Sequence, residues 1–301
     1  MGILKDQIKI FCYQKKIHRD LFNKDTLLIS QNAVYATEKQ VFDIFKKSKL
    51  NISKVPNYIN KKNKIISWKG TKKDKNINAD YLMRLLGSKK TQCCDVSSYE
   101  KPDFILDLNK PVPKSLHNKF NNVVDTGTFE HVFNTPQVLD TYCKILKKKG
   151  YLVISTTCSN LIDHGFYSFS PTFFFDYFEQ NGFVIKNCFL KKYSPYLFEL
   201  DSKIYIYSDR GAEIPFISNK AVEIIVIAKK IKNYKKQKFP TQFVYRNMDG
   251  WKKKNKKFVK LSKSKEIIKK IIFFTLQYLP FSFEALFFSY LRGKKIKKLN
   301  I

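Results

Sequence analysis

The chain has 301 residues, of which 44% are hydrophobic and 15% aromatic, and this composition excludes an intrinsically disordered protein. The length allows one large α/β domain with an appendage, or two small domains. The net charge of +32 is uneven, because residues 229–301 contain 22 Lys+Arg and 3 Asp+Glu. A concentrated basic segment indicates attraction to phosphate groups, on nucleic acid or on an anionic membrane surface.

The cysteines form no CxxC pair and no paired spacing with histidines, so we predict neither a disulfide framework nor a metal site. We interpret them as thiols in a reducing compartment. They are Cys12, Cys93, Cys94, Cys143, Cys158 and Cys188. The first residues lack the basic and then apolar pattern of a signal peptide, and we therefore expect a cytoplasmic protein.

Two segments compete for the first strand of the predicted sheet. Residues 26–30 form a compact apolar run, followed by Gln31 and by a helical pattern over residues 38–47. Residues 64–69, ahead of Gly70, form a second apolar patch in a Lys- and Asn-rich stretch. Residues 1–24 are mixed and basic and contain no motif, so we interpret them as an N-terminal extension.

Three later strands each end in an acidic residue, and these residues are Asp95, Asp107 and Asp125. Beyond them, apolar patterns predict helices and strands at residues 137–146, 151–155, 172–180 and 221–228. Strands that alternate with helices in this way are typical of a doubly wound, mostly parallel α/β sheet. We assign this domain to residues 25–230.

Residues 231–301 are predicted to be a basic linker followed by an apolar helical tail. Residues 267–291 are long enough to cross a bilayer, but Gln277, Pro280 and Glu284 interrupt them. An in-plane amphipathic hairpin, held by residues 267–298 against anionic headgroups at the inner face of the membrane, fits better than a span. The alternative is a soluble helical pair packed on protein. Nucleic acid is less favoured, because the lysine runs lack interleaved aromatic residues.

The carboxylates at the strand ends indicate a ligand site along one edge of the sheet. In open α/β sheets, ligands bind outside the carboxyl ends of the strands, and a carboxylate there accepts hydrogen bonds from ribose hydroxyls. Aspartate is also a common turn residue at strand ends, so each acid alone is weak evidence. The ordered set of Asp95, Asp107 and Asp125 favours a nucleoside site.

Three stretches of the chain resemble class I S-adenosylmethionine-dependent methyltransferases. They read LGSKKTQCCDVSSYEKPDFILDLNKPVP at residues 86–113, VVDTGTFEHVFN at 123–134 and HGFYSFSPTFFF at 164–175. The similarity is greatest to a subgroup with a degenerate glycine-rich motif. It implies a Rossmann-like methyltransferase fold and S-adenosylmethionine as the cofactor.

The resemblance also implies roles for individual residues. Asp95 would bind the ribose, Asp107 and Leu108 would flank the adenine, and Asp125 with its turn would line the methionine side. No GxGxG occurs in the chain, so the loop of Ser30, Gln31 and Asn32, or alternatively residues 70–72, would replace the glycine-rich loop. The predicted cofactor-binding residues are Ser30, Gln31, Asp95, Val96, Ser97, Asp107, Leu108, Asn109, Asp125, Gly127 and Thr128.

Two histidines are candidate catalytic residues. His131 corresponds to the histidine of a Glu-His pair in many of these methyltransferases, and His164 follows the predicted fifth strand. An imidazole with an ordinary pKa suits a general base. The alternatives are that His131 braces its loop and that His164 packs against the aromatic helix. The sequence thus predicts a methyltransferase with an unidentified acceptor, or else an inactive relative with a structural or assembly role.

Overall fold

In the computed structural model, which describes residues 2–50, 76–193, 202–208, 218–246, 267, 271 and 297–299, the chain folds around a large β-sheet. The strands are β1 (Gly2–Ile3), β2 (Lys24–Ile29), β3 (Ala33–Thr37), β4 (Asn76–Asn78), β5 (Ser88–Asp95), β6 (Phe104–Ile105), β7 (Phe120–Thr126), β8 (Leu146–Ser159), β9 (Phe183–Lys192), β10 (Lys203–Ile206), β11 (Val222–Lys230) and β12 (Lys297–Leu299). The helices are α1 (Lys5–Ile17), α2 (Glu38–Lys47), α3 (Ala79–Leu85), α4 (Thr135–Ile145), α5 (Pro171–Gln180) and α6 (Phe243–Arg246).

The described part of the large sheet has the strand order β12-β10-β9-β11-β8-β7-β2-β5-β6. Neighbouring strands from β8 to β6 pair in parallel, whereas those from β12 to β8 pair antiparallel. The predicted α/β sheet is therefore confirmed, but one half of its pairings is antiparallel. Strands β1, β3 and β4, all from the first 78 residues, form a small separate sheet. The order reverses at β2, which has β5 on one side and β7 on the other.

Strand β2 is the first strand of the parallel half, which favours the segment at residues 26–30 over its rival. The rival segment, residues 64–69 with Gly70, lies outside the described residues. Strand β2 is buried from Thr26 onward, with Leu27 fully inaccessible and Leu28 and Ile29 nearly so. It pairs on both edges, as expected for a central parallel strand that reads as a continuous apolar run.

Helices cover both faces of the sheet, because alternate side chains along the strands enter different cores. On β8, Leu152 and Ile154 pack with α4 and α5, whereas Tyr151 and Val153 pack with α1, α2 and α3. Successive side chains of a strand point to opposite faces, so a strand covered on both sides is apolar throughout. This layering makes the sheet doubly wound.

Helix α1 lies in the segment predicted to be an N-terminal extension, and it contributes to the core. The side chain of Gln7 accepts a hydrogen bond from the Leu4 amide at 2.6 Å, which satisfies a free donor at the helix start. Phe11 is fully buried and contacts Phe22, with ring centroids 5.3 Å apart. The apolar pattern of the helix is interrupted by buried polar residues such as Gln14, which hides it from sequence reading.

The beginning of the predicted basic linker packs across α4 and α5. Tyr234 donates a hydrogen bond to Asp140 at 2.6 Å, and the Lys238 amide donates to Asn181 at 2.9 Å. The guanidinium of Arg246 pairs with the buried carboxylate of Asp176 at 2.5 Å. Residues 231–246 thus form a strap over these two helices.

Most of the predicted apolar helical tail at residues 267–298 lies outside the described residues. Its described end does not form a helix, because β12 pairs antiparallel with β10. Among the residues that the structure describes, no helix combines the length and apolar composition that a transmembrane span requires. The membrane contact of the tail stays a prediction.

A buried ion pair joins β9 and β11. Lys191 is fully buried and donates to Glu223 at 3.0 Å. Glu223 also accepts hydrogen bonds from Gln7 at 2.6 Å, from Tyr193 at 2.8 Å, and from Ser155. Burial alone would raise the pKa of Glu223, but Lys191 and these hydrogen bonds hold it below its ordinary value. The ionised form of the buried Glu223 side chain is therefore stabilised by the charge of Lys191.

We expect Lys191→Met to destabilise the protein by about 3 kcal/mol, because it leaves a buried carboxylate without its cation. The double variant K191M/E223Q should lose less, since it removes the unpaired charge. The free energy of unfolding, measured by urea denaturation, checks this. The control is K89M, which changes an exposed lysine of β5. A cost below about 1 kcal/mol for K191M would contradict the expectation.

Candidate functional site

The candidate site lies at the carboxyl ends of β2, β5, β6 and β7. From β2 the chain proceeds outward to β5 and β6, and it then returns to β7 and β8 on the other side. Loops leave such a reversal point in opposite directions and open a crevice between them, which is where open α/β sheets bind ligands. The register places Ile29 beside both Cys94 and Asp125, so the loops that follow start level with one another.

The loop after β2 adopts a left-handed turn without a glycine. Ser30 has φ of +61° and donates its amide to the Cys94 carbonyl at 2.8 Å. The hydroxyl of Thr128 donates to Ser30 Oγ at 3.1 Å, which joins this loop to the turn after β7. Asn32 is buried, and its amide group donates to the Ile29 carbonyl at 3.2 Å. The turn is therefore fixed by side-chain and backbone hydrogen bonds, without a glycine.

Gln31 and Asn32 differ in accessibility. The side chain of Gln31 is exposed at the tip of the loop. Asn32 belongs to the loop predicted to replace the glycine-rich motif, although it was not singled out as a cofactor contact. Its Oδ1 is a buried acceptor with no hydrogen-bond partner in the described structure. An acceptor without a partner at this position can receive a donor from a bound molecule.

Asp95 ends β5 with one carboxylate oxygen in use. The Ser97 amide donates to its Oδ1 at 3.1 Å, while Oδ2 has no hydrogen-bond partner among the described residues. Asp95 is half-buried, and Val96 and Ser97 are exposed. The structure therefore presents an acceptor at the edge of the crevice, where the sequence predicted a ribose contact.

Asp107 and Asn109 form a second polar loop, after β6. The amide and the side chain of Asn109 both donate to Asp107, at 3.0 and 3.1 Å. These hydrogen bonds from Asn109, together with Lys110, hold the pKa of Asp107 below its ordinary value. A cavity of about 200 Å³ borders this loop and reaches Thr141 on α4. Leu108, predicted to flank the adenine, is 7% exposed and packs into the core.

Asp125 braces the turn after β7 from inside the protein. Its carboxylate is fully buried and accepts hydrogen bonds from the Tyr142 hydroxyl at 2.6 Å and from the Thr128 amide at 2.8 Å. Burial raises the pKa of Asp125 to about 6, although these hydrogen bonds oppose the shift. Gly127 has φ of +101°, which a glycine adopts without strain. The structure gives Asp125 a positioning role, and its predicted contact with the methionine side stays a prediction.

The two predicted catalytic histidines come together, although they are far apart in sequence. His131 ends a short 3₁₀ helix (Phe129–His131), and His164 lies in the loop after β8. Their ring centroids are 5.3 Å apart. Burial, and to a smaller extent His164, lower the pKa of His131. The imidazole of His131 is therefore neutral near pH 7 and can accept a proton.

Glu130 completes this cluster. It is 2% exposed, accepts a hydrogen bond from Thr156 at 2.7 Å, and lies 3.6 Å from Nε2 of His164. Burial raises the pKa of Glu130 to about 7. It was not among the predicted site residues, and its only sequence signal was the Glu-His pair that it forms with His131. Side chains along β8 alternate between the two faces of the sheet, and this places Thr156 beside Glu130. The sequence did not reveal that contact.

Two exposed aromatic residues each follow one of the histidines by two positions in the sequence. Phe133 and Phe166 are 68% and 63% exposed and meet edge to face, with centroids 5.5 Å apart. The hydroxyl of Tyr167 donates to the Phe133 carbonyl at 3.1 Å, which joins the loops after β7 and β8.

A larger apolar cavity of about 320 Å³ lies between α4, α5 and residues 239–242. No predicted site residue lines it.

No protein-family model matches the sequence, and no curated protein sequence is significantly similar to it. Solved structures resemble the fold. A SAM-dependent methyltransferase from Archaeoglobus fulgidus is 12% identical with a TM-score of 0.37, covering 74% of this chain and 94% of that one.

Two further structures contain bound ligands. The branched-chain polyamine synthase of Thermus thermophilus, in complex with N4-aminopropylspermidine and 5'-methylthioadenosine, is 10% identical with a TM-score of 0.41, covering 79% of this chain and 59% of that one. The Burkholderia thailandensis 1,6-didemethyltoxoflavin-N1-methyltransferase, with 1,6-didemethyltoxoflavin and S-adenosylhomocysteine, is 10% identical with a TM-score of 0.37, covering 75% and 78%. Those activities belong to those proteins, and the fold assignment rests on the strand order of this chain.

The left-handed turn at Ser30 can be tested by stability measurements. Ser30→Gly and Ser30→Ala both remove the hydroxyl that meets Thr128, but only glycine adopts φ near +61° without strain. We expect S30G to be more stable than S30A by about 1 kcal/mol in urea unfolding. Equal stabilities would show that the turn relaxes in solution.

The buried carboxyl of Asp125 predicts a specific pH dependence. Because its pKa in the folded protein is about 6, above the ordinary value, the stabilisation present below the ordinary pKa is lost as pH rises through 6. Relative to D125N, the wild-type free energy of unfolding should fall by about 2 kcal/mol between about pH 4 and pH 7. Urea unfolding at both pH values checks this. D25N, at the opposite end of the sheet, is the control, and a constant difference for D125N would contradict it.

Proposed function

We propose that this protein is an S-adenosylmethionine-dependent methyltransferase whose cofactor binds at the reversal point of the sheet. The observation that carries the proposal is that three loops leave the sheet at the same height at the carboxyl ends of β2, β5 and β7. The loops start after Ile29, Asp95 and Thr126, and the first two present acceptors without partners in the described structure. This alignment is independent of the sequence resemblance, which concerned three stretches of sequence and not the register of the strands.

The residues present fit the nucleoside end of the cofactor. Asp95 Oδ2 is an acceptor for ribose hydroxyls, which are hydrogen-bond donors. The loop of Asp107 and Asn109, with its adjoining cavity, would receive the base. Asn32 Oδ1 supplies a further acceptor, which suits an ammonium group. Ser30 adopts the left-handed turn after β2, a conformation that glycine adopts without strain.

The chemistry needs positioning more than acid or base assistance. The cofactor, when bound, supplies an electrophilic methyl group for in-line displacement by an acceptor nucleophile. His131 is neutral near pH 7 and exposed, so it can take the proton that such a nucleophile releases. The exposed pair of Phe133 and Phe166 beside it offers an apolar surface to an acceptor. The acceptor itself, and the membrane contact of residues 267–298, remain sequence-based proposals.

Isothermal titration with S-adenosylhomocysteine tests the proposal. We expect the wild-type protein to bind and Asp95→Ala to bind at least about 10-fold more weakly, because a hydrogen bond to a charged group is lost. Asp25→Ala, at the opposite end of the sheet, should bind like the wild type. If the wild type does not bind even at millimolar ligand, the proposal fails, and a structural or assembly role for the fold takes its place.

A further inference from the structure

Three potential metal ligands converge beside the cofactor edge. Glu130, His131 and His164 each offer one ligand atom, and these atoms all lie within 4.8 Å of one another. The carboxylate is buried, whereas both imidazoles are exposed, His164 by 49% of its side chain. Glu130 and His131 are adjacent in the 3₁₀ helix, and His164 comes from the loop after β8. The cluster therefore exists only in the folded protein.

Backbone contacts, and not only side chains, fix the spacing of this cluster. The Phe166 amide donates to the Glu130 carbonyl at 2.8 Å. A Cβ atom at Gly165 would lie 2.8 Å from the same carbonyl oxygen, so only glycine allows the loop to approach this closely. The loop that carries His164 is thus held directly against the backbone of Glu130. Ligands held by separate rigid segments are the arrangement that a built metal site requires.

Glu130 is also oriented by a neighbour. The Thr156 hydroxyl donates to Oε2 at 2.7 Å, which leaves Oε1 on the side of His164, 3.6 Å from its Nε2. A hydrogen bond that orients a ligating carboxylate is typical of metal sites. Neither imidazole forms a side-chain hydrogen bond to another residue within the described ranges, so their nitrogens are available.

We propose that Glu130, His131 and His164 bind a divalent transition-metal ion such as Zn²⁺. Two imidazoles and one carboxylate form a donor set that suits first-row transition metals rather than Ca²⁺ or Mg²⁺. Metal–ligand distances of about 2.1 Å place ligand atoms about 3.4 Å apart in a tetrahedral site. The exposed imidazoles need to move by only about an ångström to reach that geometry. Positions not filled by these side chains open to solvent.

The site goes beyond the predicted cofactor contacts, and it contradicts the expectation that the chain has no metal site. That expectation rested on cysteine spacing alone, and none of the three ligands is a cysteine. Metal binding can be measured without S-adenosylmethionine. The titration is therefore independent of methyl transfer, although a bound ion would occupy a ring nitrogen of His131, the residue that the proposed function uses as a proton acceptor.

Titration of the metal-free, untagged full-length protein tests the proposal. After treatment with EDTA, we expect one Zn²⁺ to bind per chain in isothermal titration, and Co²⁺ to give visible absorption bands when it occupies the site. His164→Ala and His131→Ala should each weaken binding more than about 10-fold, and Thr156→Val about 10-fold. The remaining histidines give matched controls, because H18Q and H117Q each remove one imidazole outside the cluster.

Two results would overturn the proposal. One is absence of Zn²⁺ binding by the wild type at millimolar ion, and the other is equal affinity in H164A and H117Q. Circular dichroism verifies that each variant folds, and H164Q replaces H164A if the smaller side chain prevents folding. Binding that survives in all four histidine variants would place the ion elsewhere and count against the site.

Discussion

The parallel pairing of β2 with both β5 and β7 is the constraint on which the rest of the structure depends. It places Ile29 level with Cys94 and Asp125, so three loops leave the sheet at one height. A shift of one residue in either ladder would turn the apolar side chains of β2 to the wrong core. Because both cores take alternate residues of the same strands, the register is strongly determined. The crevice is a consequence of that register.

The site is built without the glycines that usually let a backbone approach a cofactor. Ser30 adopts a left-handed conformation at a cost of about 1 kcal/mol or more. Three hydrogen bonds offset that cost. The Ser30 amide donates to the Cys94 carbonyl, the Thr128 hydroxyl donates to Ser30 Oγ, and the Asn32 side chain donates to the Ile29 carbonyl. Gly165 has a different use, because it allows the loop after β8 to lie against Glu130. Close backbone approach therefore occurs at the loop of His164, whereas the turn after β2 contains no glycine.

Two buried carboxyl groups lie at and just after the end of β7, and they brace the loops there. Asp125 and Glu130 both have a raised pKa because burial disfavours their charged forms. Tyr142 and Thr156 donate hydrogen bonds to them, which lowers the cost of that burial. Carboxyl groups with such a pKa are common at functional sites, although structural networks produce them too. Asp125 fits a structural role, and Glu130 faces the histidine pair.

The sequence by itself indicated the α/β class, the acids at the ends of β5 and β7, and the apolar run of β2, because apolar runs and strand-end residues are local signals. It left residues 64–69 as an alternative first strand. The tertiary structure decided what depends on contacts between distant segments. It brought His131 and His164 together, put Leu108 into the core, and paired β11 antiparallel with β8 and β9. It also packed α1 against the sheet despite buried polar residues that hide its pattern. Local patterns specify which face of an element is apolar, whereas packing alone decides what that face meets.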